Sequence, residues 1–316
     1  MDTQIDHMAP GTSDAAKREN KKIREISLDG CRMLGRGLQG EVYRYDDELI
    51  IKVYNSSKSF ADLEREAVLS RRAFVLGLPT AISFGIVSVG DRFGAMYELV
   101  DSDTLSDCIS RNPSRLDYYA GMMAEMARKI HGTEAAAEDH FPEAKNRFRD
   151  YITHGIERSN REMAARCLQL IDEMPGTKHL IHGDFHTSNV FLQNSEALVI
   201  DMDRMAMGDP VFELGNFYLY YEAVGDKDPE ETDSYLGIKY GVSRQFFRLF
   251  MRHYLQTEDE ARIREVTDKA ALLCNLRLIN RHWKQGKPSK EEQEKVDRLL
   301  TGTAELLERV ESLQIG

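Results

Sequence analysis

The sequence predicts an α+β protein in two lobes, a small antiparallel-sheet lobe followed by a larger, mainly helical one. Short β-rich runs bounded by turn residues fill the chain from about Ile26 to Val100, interrupted by one helical stretch. Beyond Ser102 the composition and apolar spacing turn helical. Strands, one helix, more strands and then helices in series make an α+β arrangement with a cleft between unlike lobes. The boundaries read as a polar tail over 1–24, an N-lobe over 25–101 and a C-lobe over 102–316.

The tail carries Pro10, Gly11 and a charged cluster from Lys17 to Lys22, and suits a mobile segment or a short added helix. Arg32–Gly35, Glu41–Tyr45 and Leu49–Tyr54 read as strands separated by turns. Phe60–Leu76 reads as a helix with Leu63, Ala67 and Phe74 on its apolar face, stopped by Gly77-Leu78-Pro79. Ala81–Val89 and Phe93–Val100 are strand-like runs joined by Gly90-Asp91. Helices are then expected over Leu116–His131, Tyr151–Met174, Ser243–Leu255 and Glu258–Arg281. A final amphipathic helix over Ser289–Leu313 has Ser289 as its cap ahead of Glu291 and Glu292. No internal repeat is evident.

A chain of 316 residues with 41% apolar and 30% charged residues can bury a substantial core. Its four cysteines are scattered without a Cys-x-x-Cys pair, which disfavours zinc or a disulfide framework and fits a reducing compartment. The polar N-terminus offers no signal peptide or anchor, and no apolar run approaches the ~20 residues that span a bilayer. The cytoplasm is the expected location, with no membrane partner. A net charge of −11 argues against general nucleic-acid binding and suits a cationic substrate.

Gly35-Arg36-Gly37-Leu38-Gln39-Gly40 fits a glycine-rich phosphate loop. A dinucleotide fold uses the same letters but needs a helix directly after them, whereas β-like runs follow here. That leaves a hairpin over phosphates or an ordinary Gly-rich turn. Lys52 lies twelve residues after Gly40, on the strand face opposite its apolar neighbours. His182-Gly183-Asp184-Phe185-His186-Thr187-Ser188-Asn189 is followed, after an apolar run, by Leu198-Val199-Ile200-Asp201. An aspartate, an asparagine five residues on and a later carboxylate suit phosphoryl transfer to a hydroxyl.

Taken in order, these motifs resemble the aminoglycoside phosphotransferase and choline kinase family, with its protein-kinase-like fold, over about Ile26 to Tyr221. The resemblance implies an ATP- and Mg2+-dependent phosphotransferase acting on a hydroxyl of a small molecule such as an aminoglycoside, amino alcohol or sugar. It implies Asp184 as the base and Asn189 and Asp201 as magnesium ligands. His186, where protein kinases carry a lysine, either stabilises the transferred group or braces the loop, and His182 supports the backbone. Gly35, Gly37, Gly40 and Lys52 would hold the nucleotide phosphates, with Glu66 as the partner of Lys52 and Glu64 in reserve. Ala95–Asp101 resembles the hinge that meets adenine, through Glu98 and Val100. Asp203 would touch a second magnesium or the substrate, or stand behind the other acids. Asp209, in Gly208-Asp209-Pro210, would brace the catalytic loop and cap a helix, and Glu213 stands where an aspartate is usual.

Only eight positions separate Asp201 from Asp209, too few for the peptide-docking segment of a protein Ser/Thr kinase. A pseudokinase scaffold has no chemical need for Lys52, Asp184, Asn189 and Asp201 together. A zinc site at His182, Asp184 and His186 would leave Asn189, Asp201 and Lys52 unexplained. The acidic stretch from Glu222 to Asp233, beside Tyr218, Tyr220 and Tyr221, could draw a cationic acceptor, though a solvated loop with core tyrosines is the plainer account.

Overall fold

The computed structural model describes residues 23–37, 39–55, 58–193, 196–226, 228–284 and 286–315. Most of the expected N-terminal tail, residues 1–22, and Leu38 of the glycine run lie outside the described residues.

The N-terminal part is a six-stranded sheet with one helix. Its strands are β1 (Arg24–Glu25), β2 (Arg32–Arg36), β3 (Gly40–Arg44), β4 (Leu49–Tyr54), β5 (Ser83–Val89) and β6 (Arg92–Glu98), and α1 (Phe60–Val75) lies between β4 and β5. The order is β1-β5-β6-β4-β3-β2. The sheet is antiparallel as expected, apart from the short edge strand β1, which runs parallel to β5. Strand alternation sorts β4 cleanly. Ile51 and Val53 join Ile26, Val87 and Met96 in one cluster, while Tyr54 packs with Leu63 of α1 and Ala95 in another. Lys52 shares the Tyr54 side, so the sheet delivers it to α1. Ser59 and Asp62 close a capping box at the start of α1, fixing where that helix begins.

The C-terminal part is helical, built on α2 (Leu105–Arg111), α3 (Leu116–His131), α4 (Ala144–His154), α5 (Arg161–Asp172), α6 (Pro210–Tyr218), α7 (Pro229–Leu236), α8 (Tyr240–Leu255), α9 (Glu260–Trp283) and α10 (Lys290–Leu307). Ser289 caps α10 as expected. The single helix expected over Tyr151–Met174 is instead two. At Gly155 a Cβ would sit 2.8 Å from the Asn280 backbone of α9, so the chain turns there, and Asn160 caps the restart by accepting from Met163 N. Two small ladders hold the functional loops. Strand β9 (Val190–Gln193) pairs with β10 (Glu196–Val199) on one side and β7 (Asp103–Thr104) on the other, and β8 (Leu180–Ile181) pairs with β11 (Ala206–Met207). Among the described residues no helix is long and apolar enough to cross a membrane.

Candidate active site

The β2–β3 hairpin carries the glycine run. At Gly40 a Cβ would lie 2.0 Å from Val53 O, so only glycine lets the hairpin close on β4. Gly35 and Gly37 have nothing within 4 Å of a Cβ position, leaving open space beside their backbone. Gln39 Nε2 donates to Asp203 Oδ2 at 3.3 Å, tying the hairpin tip across the cleft.

Lys52 Nζ lies 2.8 Å from Asp201 Oδ1 and 3.3 Å from Glu66 Oε1. Burial works against its charge, but Asp201 and Glu66 outweigh that and raise its pKa. Glu66 is 3% exposed and also receives Lys58 Nζ at 3.0 Å and the hydroxyls of Tyr54 and Tyr97. Glu64, the reserve partner, is exposed. Lys58, which sequence reasoning passed over, further lies 3.5 Å from Asp203. Its position just ahead of the Ser59 cap was the only available signal.

Two cavities meet at the Lys52–Asp201 pair. One, of ≈ 580 Å³, is lined by Gly35, Val42, Glu98, Leu99, Val100 and Met202 among others. The Val100 N–H and C=O have no partner among the described residues, while Glu98 is engaged by Ile82. The other, of ≈ 770 Å³, is lined by Gly37, Gly40, Asp184, His186, Asn189 and Tyr220 among others.

Asp184 follows Gly183, whose backbone is left-handed (φ 82°) and whose Cβ would lie 2.3 Å from Arg204 O. His182 is buried. Its Nε2 meets Ile200 O at 2.9 Å, and its Nδ1 accepts from Asp184 N at 3.3 Å, so the ring bridges the two loops. Asn189 Nδ2 donates to Asp184 O at 3.0 Å, leaving its Oδ1 without a described partner. Asp201 adopts the left-handed backbone (φ 67°, ψ 61°), which an Asp tolerates better than most residues. Burial pushes its carboxyl up, but Lys52 more than offsets this and holds it low. Asp203 is pushed up by burial and then by Asp201 and Glu66, and its Oδ1 is buried without a partner.

His186 is 5% exposed, between the rings of Tyr220 and Tyr235, and burial pulls its pKa down to about 4. It is therefore neutral at ordinary pH. Because the folded state binds this proton more weakly than the unfolded chain, the group withdraws stability as pH falls from 6.5 towards about 4. The imidazole signals of His186 in NMR should stay in the neutral form from pH 8 down to about 5; titration near 6.5 would show the ring to be solvated.

Two residues brace the loop where Asp209 was expected to. Asp209 does cap α6, accepting from Val211 N at 2.9 Å, but none of its described hydrogen bonds reaches the catalytic loop. Glu213, 1% exposed, accepts from His182 N at 2.5 Å and from Gly183 N at 3.1 Å. Burial raises its carboxyl, yet the imidazoles of His131 and His182 and the Gly183 N–H outweigh it and keep it low. Tyr221 Oη accepts from Thr187 N at 2.9 Å. Glu213→Gln would turn an amide N–H towards those donors and should cost about 2–3 kcal/mol, read as a lowered urea midpoint. An unshifted midpoint would deny Glu213 that hold.

Tyr220 was read as core. Its hydroxyl instead donates to Asp184 Oδ1, and burial keeps the phenol protonated, which preserves it as a donor. It stacks on Tyr235 at 5.1 Å, and Arg277 Nη2 donates to its oxygen at 3.2 Å. The acidic stretch is mainly structural: Glu222 pairs with Arg244, Asp226 receives Tyr240, and Asp228 caps α7. Of its acids only Glu231 lines the cavity.

A sheet-rich part over a helical part, with a glycine hairpin and a loop aspartate facing one cleft, is the build of the kinase-like phosphotransferases. The model of the phosphotransferase enzyme family matches residues 31–266, and the chain belongs to that family. The aminoglycoside phosphotransferase APH(2'')-Ib, ADP-bound, is similar with a TM-score of 0.59 at 19% identity, over 91% of this chain and 96% of that one. A choline/ethanolamine kinase family protein from Mesorhizobium loti gives 0.56 at 18% identity over 88% of each chain. APH(2'')-IIa in a streptomycin–ATP ternary complex gives 0.56 at 18% identity, over 95% and 99%. At these identities the likeness establishes the fold. No curated protein matches the chain by sequence.

Proposed function

We propose that this chain transfers the γ-phosphoryl group of ATP to a hydroxyl of a small molecule, with magnesium. The observation that carries the reading is the pair of cavities sharing Lys52 and Asp201, with Asp184 lining only the second. Residues 25–101 then form a nucleotide-binding lobe and 102–316 the lobe of catalysis and acceptor binding. Adenine would meet Glu98–Val100, where the Val100 backbone groups are free to bond it. Gly35, Gly37 and Gly40 let the hairpin backbone approach phosphates, and Lys52, positioned by Glu66, pairs with them.

Asp184 would accept the acceptor's hydroxyl proton. Tyr220 occupies one carboxylate oxygen and leaves the other for that hydroxyl, so the group is aimed before the substrate arrives. The donor set fits magnesium, which takes few protein oxygens and keeps water: Asn189 Oδ1, Asp201 and the orphaned Asp203 Oδ1. When bound, the metal would neutralise charge on the phosphates. His186, neutral and wedged between tyrosines, suits bracing better than charge stabilisation. The short Asp201–Asp209 interval is taken up by a 3-10 turn and β11, which supports a small acceptor over a protein one. No disulfide joins the four cysteines, which accords with a cytoplasmic location. The test is magnesium-dependent ADP release across aminoglycosides, amino alcohols, sugars and sugar derivatives. ATP binding with no release on any of them would favour the pseudokinase scaffold.

A further inference from the structure

The sign of the charge around the acceptor cavity narrows the acceptor. The chain as a whole carries −11, but this cavity is lined by Arg204, Arg277, Arg281 and Lys284. The last three stand at i, i+4 and i+7 on α9 and its C-cap, a spacing that gathers them on one helix face. None of the four lines the nucleotide-side cavity.

None of them forms an ion pair with a described carboxylate. Arg277 donates to Asn216 Oδ1 at 2.5 Å and to Tyr220 Oη at 3.2 Å. Arg204 reaches Tyr151 Oη at 3.3 Å, and its Nε is buried with no partner. Arg147 adds to the crowding: it donates to Arg204 O at 3.0 Å, and burial followed by the Arg204 charge pushes its guanidinium down. Nearby carboxylates do not balance the whole group: Asp201 is matched by Lys52, Glu231 is exposed, and Asp184, whose charge helps to raise the Arg277 pKa, offsets one cation at most. The dipole at the end of α9 would account for Arg281 and Lys284 but not for the half-buried Arg204 and Arg277. Like charges converging in a half-buried cleft are unfavourable without a counter-charge.

We infer that the acceptor is anionic: a hydroxylated small molecule bearing a phosphate or carboxylate, gripped through that oxyanion by the α9 cations and Arg204 while its hydroxyl lies at Asp184. This rests on the phosphotransferase reading. In the step, the bond from the γ-phosphorus to the bridging oxygen of ADP breaks and a bond to the acceptor oxygen forms. The hydroxyl proton passes to Asp184 and ADP leaves.

The test is calorimetric binding, with a non-hydrolysable ATP analogue present, of glucose 6-phosphate, ribose 5-phosphate, gluconate, glucose, ribose and kanamycin. At least one anion should bind roughly tenfold or more tighter than its neutral parent and than kanamycin, and less tightly as salt rises. The exposed pair Arg281→Gln with Lys284→Gln should remove most of that preference and leave affinity for the ATP analogue unchanged. Preference for a sugar phosphate over gluconate would assign the oxyanion as phosphate, and the reverse as carboxylate. Kanamycin binding tightest, no preference by charge, or an anion affinity indifferent to the double substitution would overturn the inference. ADP release is measured alongside. Anion binding without release would uphold the charge assignment and count against phosphotransfer; release with kanamycin alone would do the opposite.

Discussion

Asp184→Asn is expected to lower kcat by about three orders of magnitude while leaving the fold and ATP affinity in place. The amide cannot take the hydroxyl proton, and its NH2 group would have to face either the Tyr220 hydroxyl or the acceptor. Either orientation spoils the aim that Tyr220 gives the carboxylate. Nucleotide affinity should hold because Asp184 does not line the cavity bounded by Glu98–Val100. An equal fall in kcat and kcat/KM for the acceptor, with unchanged ATP-analogue binding by calorimetry, is the expected pattern. Turnover within a few-fold of the parent protein would remove Asp184 from the chemistry.

Lys52→Met should be nearly as damaging, for a different reason. The ammonium joins Glu66 of α1 to Asp201 of the C-terminal part, and both partners are largely buried. Methionine keeps the length and apolar stem but leaves two carboxylates without that counter-charge. Loss of the phosphate contact and misplacement of Asp201 should together cut kcat/KM for ATP by about 100- to 1,000-fold. The variant should also melt at lower temperature, because Lys58 still reaches Glu66 but nothing described replaces the 2.8 Å contact to Asp201. A variant with normal ATP kinetics would assign phosphate binding elsewhere.

Lys52 was legible because strand alternation is a local signal and is strong there, while Glu66 as its partner came from the family resemblance. The catalytic run was legible for the same reason, as an unusual string of polar residues between apolar strands. What escaped was set by distant backbone. The break at Gly155 depends on α9 passing within contact of it, more than a hundred residues later. Glu213 was seen only as a glutamate where an aspartate is usual, yet its role is defined by the main-chain donors of His182 and Gly183 that α6 happens to approach. Tyr220 looked like its neighbour Tyr221. Both lie in a π turn, Leu219–Ala223, from which one reaches Asp184 and the other Thr187. Likewise the cations of α9 had a visible period, but only the tertiary structure gives what they face.

The grip on the catalytic loop has one property that bears on how such a site can change. Glu213 holds the N–H groups of His182 and Gly183, Asn216 donates to Gly183 O at 3.2 Å, and Tyr221 receives Thr187 N. Every one of these bonds is made to main chain. None of these bonds uses the side chain of Asp184 or His186, so those two groups can be exchanged as if on a fixed plinth. Form and chemistry are separately inherited here, and a new specificity can arise around Asp184 without rebuilding the loop that presents it.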